Sequence, residues 1–521
     1  MLKSYKLSLR WLLTCMLAAV STTMSAEIVV HEVGGFRYSL DTDTRAAVLT
    51  GYTASGNKVD IPAAVAYEGN QYVVTTLGDE CFKDCTWITT VNIPSSVTSL
   101  GSHCFTECTS LSSVSIPSSV TSLGAYCFYG CTSLTSFTIP ESVTSLGSGC
   151  FCECSSLESI TIPASVKSIG SSCFVSCTSL KSVSIPATVS RLEDYCFAFC
   201  DALRSIDIPS SVTSLGEYCF RRCKSFTTVE IPSSVISIGN GCFQQCVSLQ
   251  SVTIPESVTS IGAYSFIYCA SLQDIFIPAS VESIGQRCFQ SCSGLESMIV
   301  DAANPIYDSR EECNAIIETG TNRLIAGCKN SLIPNTVTGL ELYCFSGCST
   351  LESITIPESV KYLGERCFAQ CSALPTVDIP SSVESLGEGA FIGCEALTSV
   401  TIPASVASLG EDCFGYCSSL EKMVCEIATP IEGELFGNTP IEEATLYVPQ
   451  ESLTAYEETA PWSGFGSIRP ISGSGIEESS PAAEDATIDA VFNLEGKRVD
   501  AMRRGVNIIR LSDGSTMKVL N

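Results

Sequence analysis

Residues 133–154 read SLTSFTIPESVTSLGSGCFCEC, and the following stretch, 156–177, reads SLESITIPASVKSIGSSCFVSC. The same phrase returns along most of the chain. Its Ile-Pro pair places proline at 94, 117, 140, 163, 186, 209, 232, 255 and 278, then at 334, 357, 380 and 403, with a step of 23 residues inside each run. Within one copy, the apolar positions Leu134, Phe137 and Ile139 lead to Pro140. Proline cannot donate to a sheet ladder, so one short strand ends there. Val143, Leu146, Cys150, Phe151 and Cys154 then follow at spacings of three and four. That spacing predicts a short helical, 3₁₀ or irregular return with its apolar face inward. A unit this short cannot bury such a face alone, so successive coils must stack strand beside strand into a right-handed solenoid.

The repeat also sorts the 31 cysteines. Phenylalanine holds one slot fourteen times from Phe82 to Phe414, with cysteine normally one residue before it and three after. The first ladder has 12 cysteines plus Ser265 and Ala390, and the second has 14, leaving Cys15, Cys152, Cys313, Cys328 and Cys425 outside. Serine and alanine as replacements mark a slot for a small side chain. A zinc site needs four convergent ligands, whereas these cysteines run along a line and the chain has only 2 histidines. No metal or cofactor is expected. Cysteines on neighbouring coils could approach within disulfide distance, but Cys269 and Cys394 have lost their partners across the phenylalanine. The preferred reading is a set of buried thiols acting as small apolar residues.

The chain has 521 residues and a net charge of −27 from 28 Lys+Arg against 55 Asp+Glu. Nucleic acid and anionic membrane surfaces would be repelled. With 45% hydrophobic and only 16% charged residues, the chain has ample material for a core. Lys3, Lys6 and Arg10 precede the apolar run 11–20, and small polar residues end at Ala26. This is a secretory signal pattern, and the run is too short to span a bilayer. The expected organisation is a signal peptide at 1–26, an N-terminal cap at 27–80, repeats at 81–425 with an irregular copy at 299–334, and a C-terminal cap at 426–471. A small acidic linker follows at 472–486, then a β-rich tail at 487–521 with Gly496, Gly505 and Asp513-Gly514 at its turns.

The L-x-x-[VIF]-x-I-P core and its spacing resemble the leucine-rich repeat family, specifically the BspA-like branch of bacterial surface proteins. The resemblance implies adhesion to host matrix proteins or to other cells. The tail phrases VFNLEGKRV, GVNIIR and MKVL resemble the carboxy-terminal sorting domains of type IX secretion, although Asn507 stands where those domains carry an aromatic. That likeness implies display on the surface of a Gram-negative bacterium.

Along the strand, the residues on either side of the buried [VIF] position face outward and are mostly hydroxyls, such as Ser136 with Thr138 and Ser159 with Thr161. A serine nucleophile needs a base held against it, and His31 and His103 lie near the signal site and on the return limb. No enzyme activity is expected. Asp207 and Glu230 share one outward slot on adjacent coils, on a face expected to be flat and solvated. Asp274 and Phe276 replace the usual hydroxyls in LQDIFIP, residues 272–278, and an exposed phenylalanine suits an interface anchor. These four residues are the candidate partner-binding set. A protein partner is the leading reading, a glycan the rival, and a passive surface spacer the third. Asp301, Asn304, Asp308 and Asn314 in the irregular copy read as loop polarity rather than a cation site.

Overall fold

The computed structural model describes residues 28–471 throughout, and beyond them the backbone of the strands Ile488–Phe492, Arg498–Val499, Val506–Leu511 and Thr516–Leu520. The expected signal peptide and linker lie outside the described residues.

The repeats form a solenoid of parallel coils. On one side, Ser136–Thr138 pairs with Ser159–Thr161, residue against residue one repeat on, and Ser159–Thr161 pairs with Ser182–Ser184. The central residue of each strand points inward and its two neighbours are exposed. Inward from this face, Leu134, Phe137 and Ile139 are buried, as the alternation before the proline requires.

Of the forms expected for it, the return limb takes the irregular one and not the helical one. It carries a second parallel ladder of two-residue strands, Ser122–Leu123 beside Ser145–Leu146 beside Ser168–Ile169. Its last part is a chain of turns instead of a helix. In the coil around Phe105, His103 and Glu107 have positive φ, 56° and 58°. Each immediately precedes a ladder cysteine, and the pattern repeats at Tyr126, Tyr195, Tyr218 and Arg222. Left-handed residues four apart cannot continue a right-handed helix. The N–H groups therefore divide their bonds. Thr106 and Cys108 donate locally to His103 and Phe105, while His103, Phe105 and Glu107 donate to Ala125, Cys127 and Tyr129 of the next coil. The inward residues are the ones expected, Val143, Leu146, Cys150, Phe151 and Cys154, and all are buried.

Close stacking explains the glycine of the S-[LI]-G phrase. A Cβ on Gly124 would lie 2.4 Å from the carbonyl carbon of Gly101, so the backbones touch. Glu193 and Glu341 occupy this slot in two coils. At Glu193 the second ladder breaks, with Leu192 keeping only an isolated bridge to Leu215, whereas at Glu341, which follows the inserted hairpin, Leu340 still pairs with Leu324 and Leu363.

The phenylalanines form a buried column, Phe105 on Phe128 at 5.2 Å and Phe128 on Phe151 at 5.6 Å, with rings nearly parallel. All thirty described cysteines are buried and free. The second ladder has a polar duty as well, since the thiol of Cys131 donates to the Phe105 carbonyl at 3.2 Å, and Cys154, Cys177 and Cys200 repeat that bond coil by coil. In the first ladder, Ser265 donates instead to the carbonyls of Gly239 and Gly262.

At the start, Ile28–Val33, Phe36–Asp41 and Ala46–Tyr52 form an antiparallel sheet whose last strand pairs in parallel with Asn70–Leu77 and so joins the second ladder. At the end, Thr445–Val448 adds to Lys422–Cys425, and buried Tyr456, Trp462 and Phe465 close the core. The Trp462 indole donates to the Ile431 carbonyl at 2.8 Å. The irregular copy inserts an antiparallel hairpin, Ala315–Glu318 with Arg323–Gly327, whose second strand resumes the parallel ladder at Gly339–Leu340. The four described strands of the tail form an antiparallel sheet of their own.

Candidate interaction surface

The strand face presents the expected carpet of hydroxyls, interrupted at its middle. Asp207, Glu230 and Asp274 are exposed, and Phe276 is 45% exposed. Pairing in register places Phe276 beside Ile299 and Asp274 beside Ser297. Ile299 is 47% exposed. The next coil continues the column with Leu332, which is 65% exposed and directly precedes the Ile-Pro pair at 333–334. Its segment is tied to the preceding coil by Asn330 Nδ2, which donates to the Glu296 carbonyl at 3.2 Å, and by the Lys329–Glu296 ion pair at 2.7 Å. Three consecutive coils thus present large apolar side chains in one outward column.

Ile299 and Leu332 were legible only by slot. Ile299 lies one repeat after Phe276, but Leu332 lies 33 residues after Ile299 because of the inserted hairpin.

Acidic residues flank this column. Glu230 and Asp207 occupy the same slot two and three coils before Phe276, and the exposed Asp378 occupies it two coils after Leu332. The face between Asp207 and Glu230 is less flat than expected. The strand ladder is interrupted there, Asp207 keeping an isolated bridge to Ser184 while Thr228–Glu230 pairs only onward with Ser251–Thr253. A shallow depression of about 380 Å³ lies between Ser205, Asp207, Thr228 and Glu230.

The remaining chemistry is structural. His31 packs on Tyr67, and His103 stacks on Tyr126 at 5.0 Å with its Nδ1 3.2 Å from the Thr106 hydroxyl. Burial pushes the thiols of Cys246 and Cys288 up to about 12, which keeps them protonated and unreactive at neutral pH. In the irregular copy, Asn304 donates to the carbonyls of Pro278 and Val281 and accepts from the amides of Ile306 and Tyr307. Asp308 binds Arg310 and Thr319. Asp301 caps the amide of Ala303, and the Asn314 carbonyl accepts from Ser331. Among the described residues no cluster of three or more His, Cys, Asp or Glu side chains could hold a metal ion, and no helix is long and apolar enough to cross a membrane.

A parallel solenoid with a 23-residue coil, an x-I-P strand face and a buried phenylalanine column defines a leucine-rich repeat protein. The chain belongs to the BspA type leucine rich repeat region family, whose model matches residues 75–204, 191–309 and 326–456. Among solved structures, a leucine-rich repeat protein from Bacteroides ovatus is 28% identical, with a TM-score of 0.56 over 76% of this chain and 94% of that one. A leucine rich cell surface protein from Faecalibacterium prausnitzii is 25% identical, with a TM-score of 0.42 over 87% of this chain and 97% of that one. No curated protein matches.

Proposed function

We propose that this is an exported surface protein that holds a protein partner on its strand face, in the manner of an adhesin. The observation that carries the reading is the column Phe276, Ile299 and Leu332, exposed on three successive coils and flanked in the same slot by Asp207, Glu230 and Asp378. Exposed apolar side chains in a row exact a solvation cost that a partner removes, and aromatic and aliphatic centres carry most of the energy of such interfaces. The acidic flanks, on a chain of net charge −27, favour a partner patch with an apolar centre and basic margins. Asp274 lies beside the column in the neighbouring outward row and adds to the same negative margin.

The family resemblance supports host matrix proteins or other cell surfaces as the source of that patch. The basic and apolar amino terminus supports export, and the tail phrases at 487–521 support type IX sorting to the surface. The hydroxyl carpet on either side of the column supports alignment of the partner more than affinity. The test is a panel of purified matrix proteins and glycans applied to the chain lacking residues 1–26, with Phe276→Ala and Ile299→Ala as site variants. Capture of a matrix protein that both variants weaken supports the reading. Capture indifferent to both, or of glycans alone, removes the strand-face site.

A further inference from the structure

We propose that the turn edge of the coils flanking the inserted hairpin is a second binding site, one that takes a neutral oligosaccharide chain. The inserted hairpin brings no C-F-x-x-C turn of its own. The turns on either side of it therefore meet directly, Ser291 N donating to the Ser346 carbonyl at 2.8 Å and Thr350 Oγ1 to the Ser293 carbonyl at 3.1 Å. Along this junction runs a groove of about 610 Å³.

Its character follows from one slot, the left-handed residue before each second-ladder cysteine. Across the groove that slot reads Tyr268, Ser291, Gly347, Gln370, Gly393 and Tyr416. The two tyrosines are exposed, at 41% and 53%, and stand at the two ends, whereas the residues between them are small or amide-bearing. Five coil steps separate the tyrosines, about 24 Å at the spacing of neighbouring strands. Gly347 keeps the floor low where the turns meet, because a Cβ there would lie 2.2 Å from Ser291 Oγ.

Unused hydrogen-bonding capacity is concentrated at the same place. Among the described residues nine buried side-chain polar atoms have no partner, and three of them, Gln290 Oε1, Ser291 Oγ and Arg366 Nε, belong to side chains lining this groove. Buried polar groups are normally paired, so their grouping marks a wall that small side-chain rotations would open to a polar ligand. Of the two charged side chains in the lining, Arg366 is paired with Glu388 at 2.9 Å and the exposed Glu395 lies at the rim, a single carboxylate that disfavours an anionic ligand and leaves the wall otherwise uncharged. A peptide strand is disfavoured because the backbone is already committed. Tyr268 N, Gly347 N, Gln370 N and Gly393 N all donate to the next coil, leaving no sheet edge to extend. Sugar rings meet both demands, laying C–H faces on the tyrosine rings and offering hydroxyls to the amides and hydroxyls between them.

The test uses the full chain against an array of neutral oligosaccharides from trisaccharide to hexasaccharide, with titration calorimetry on any chain retained. Tyr268→Ala and Tyr416→Ala should each weaken binding about tenfold. Gly393→Gln should abolish it by filling the floor with a side chain that the fold already accepts in this slot, at the same left-handed conformation, at Gln245 and Gln370. Phe276→Ala, on the strand face, should leave it unchanged, so the two sites fail independently. Retention of no neutral chain, or binding that all three groove variants leave intact, overturns the proposal.

Discussion

The thiol of Cys131 donates to the carbonyl oxygen of Phe105 at 3.2 Å, one coil back, and so ties the second cysteine ladder to the phenylalanine column. A thiol engaged in this way is a hydrogen-bond donor and packing group, with no need of a disulfide. Alkylation in the absence of reductant should leave the ladder cysteines unmodified in the folded chain and modify nearly all of them after denaturation, as read by mass spectrometry. Cysteines that stay blocked in denaturant until a reductant is added would overturn this assignment. Cys131→Ala should cost about 1–2 kcal/mol in denaturant titrations, from the lost contact volume and the orphaned carbonyl. A first-ladder change such as Cys367→Ala should cost less, because Ala390 already stands one coil on in that ladder.

Burial of the thiols makes the fold sensitive to alkali. Unfolded cysteines release their protons near the ordinary value of 9.0, whereas those of Cys246, Cys288 and Cys348 hold theirs to about 12. Rising pH between these values draws protons from the unfolded chain alone and favours it. The stability due to burial is therefore complete below about pH 9 and is lost as pH climbs toward 12. Circular dichroism under reducing conditions should show a cooperative loss of structure in that window, and a chain still folded at its upper end would contradict the account.

Backbone contact at the S-[LI]-G slot sets a strict limit on size. A Cβ on Gly124 would meet the Gly101 carbonyl carbon at 2.4 Å, so Gly124→Ala should force the two coils apart and cost about 1–3 kcal/mol. The converse change, Glu193→Gly, should let Leu192 rejoin the second ladder. Slowed amide exchange at residues 191–193 would register it, and unchanged exchange would show that Glu193 does not cause the break.

The solenoid was legible because its signal is an arithmetic one: Leu134, Phe137, Ile139 and Phe151 recur at a fixed step, and inward positions follow from that step. The second strand was not legible, since Leu146 in a two-residue strand is as buried as it would be in a helical turn. Nor were the turns. Their left-handed residues are often Tyr126, Tyr218 or Arg222, side chains that carry none of the warning a glycine gives. Phe276 announced itself by departing from the hydroxyl pattern, but Leu332 depends on how the inserted hairpin brings the next coil into line, and the turn-edge groove depends on a turn the hairpin does not supply.

The apolar column on the strand face makes the sharpest demand on a partner. Phe276 and Ile299 are paired in register, and both side chains point to solvent from strands whose alternate residues, Ile275, Ile277, Met298 and Val300, are buried. Truncating either outward side chain removes contact area without opening the core, so thermal unfolding should be unchanged. Binding of a matrix protein should weaken by about 1–3 kcal/mol for Phe276→Ala, and by a similar amount for Ile299→Ala if the two form one anchor. Leu332→Ala should weaken it too, whereas Ser136→Ala, on the same face but far from the column, should do almost nothing. Glu230→Lys should chiefly slow association with a basic partner and reduce its salt dependence, since charges at the margin of an interface act more on encounter than on residence. Surface plasmon resonance at two salt concentrations separates these effects. Equal small losses from all five variants would describe diffuse contact along the hydroxyl carpet and would remove the column as the anchor.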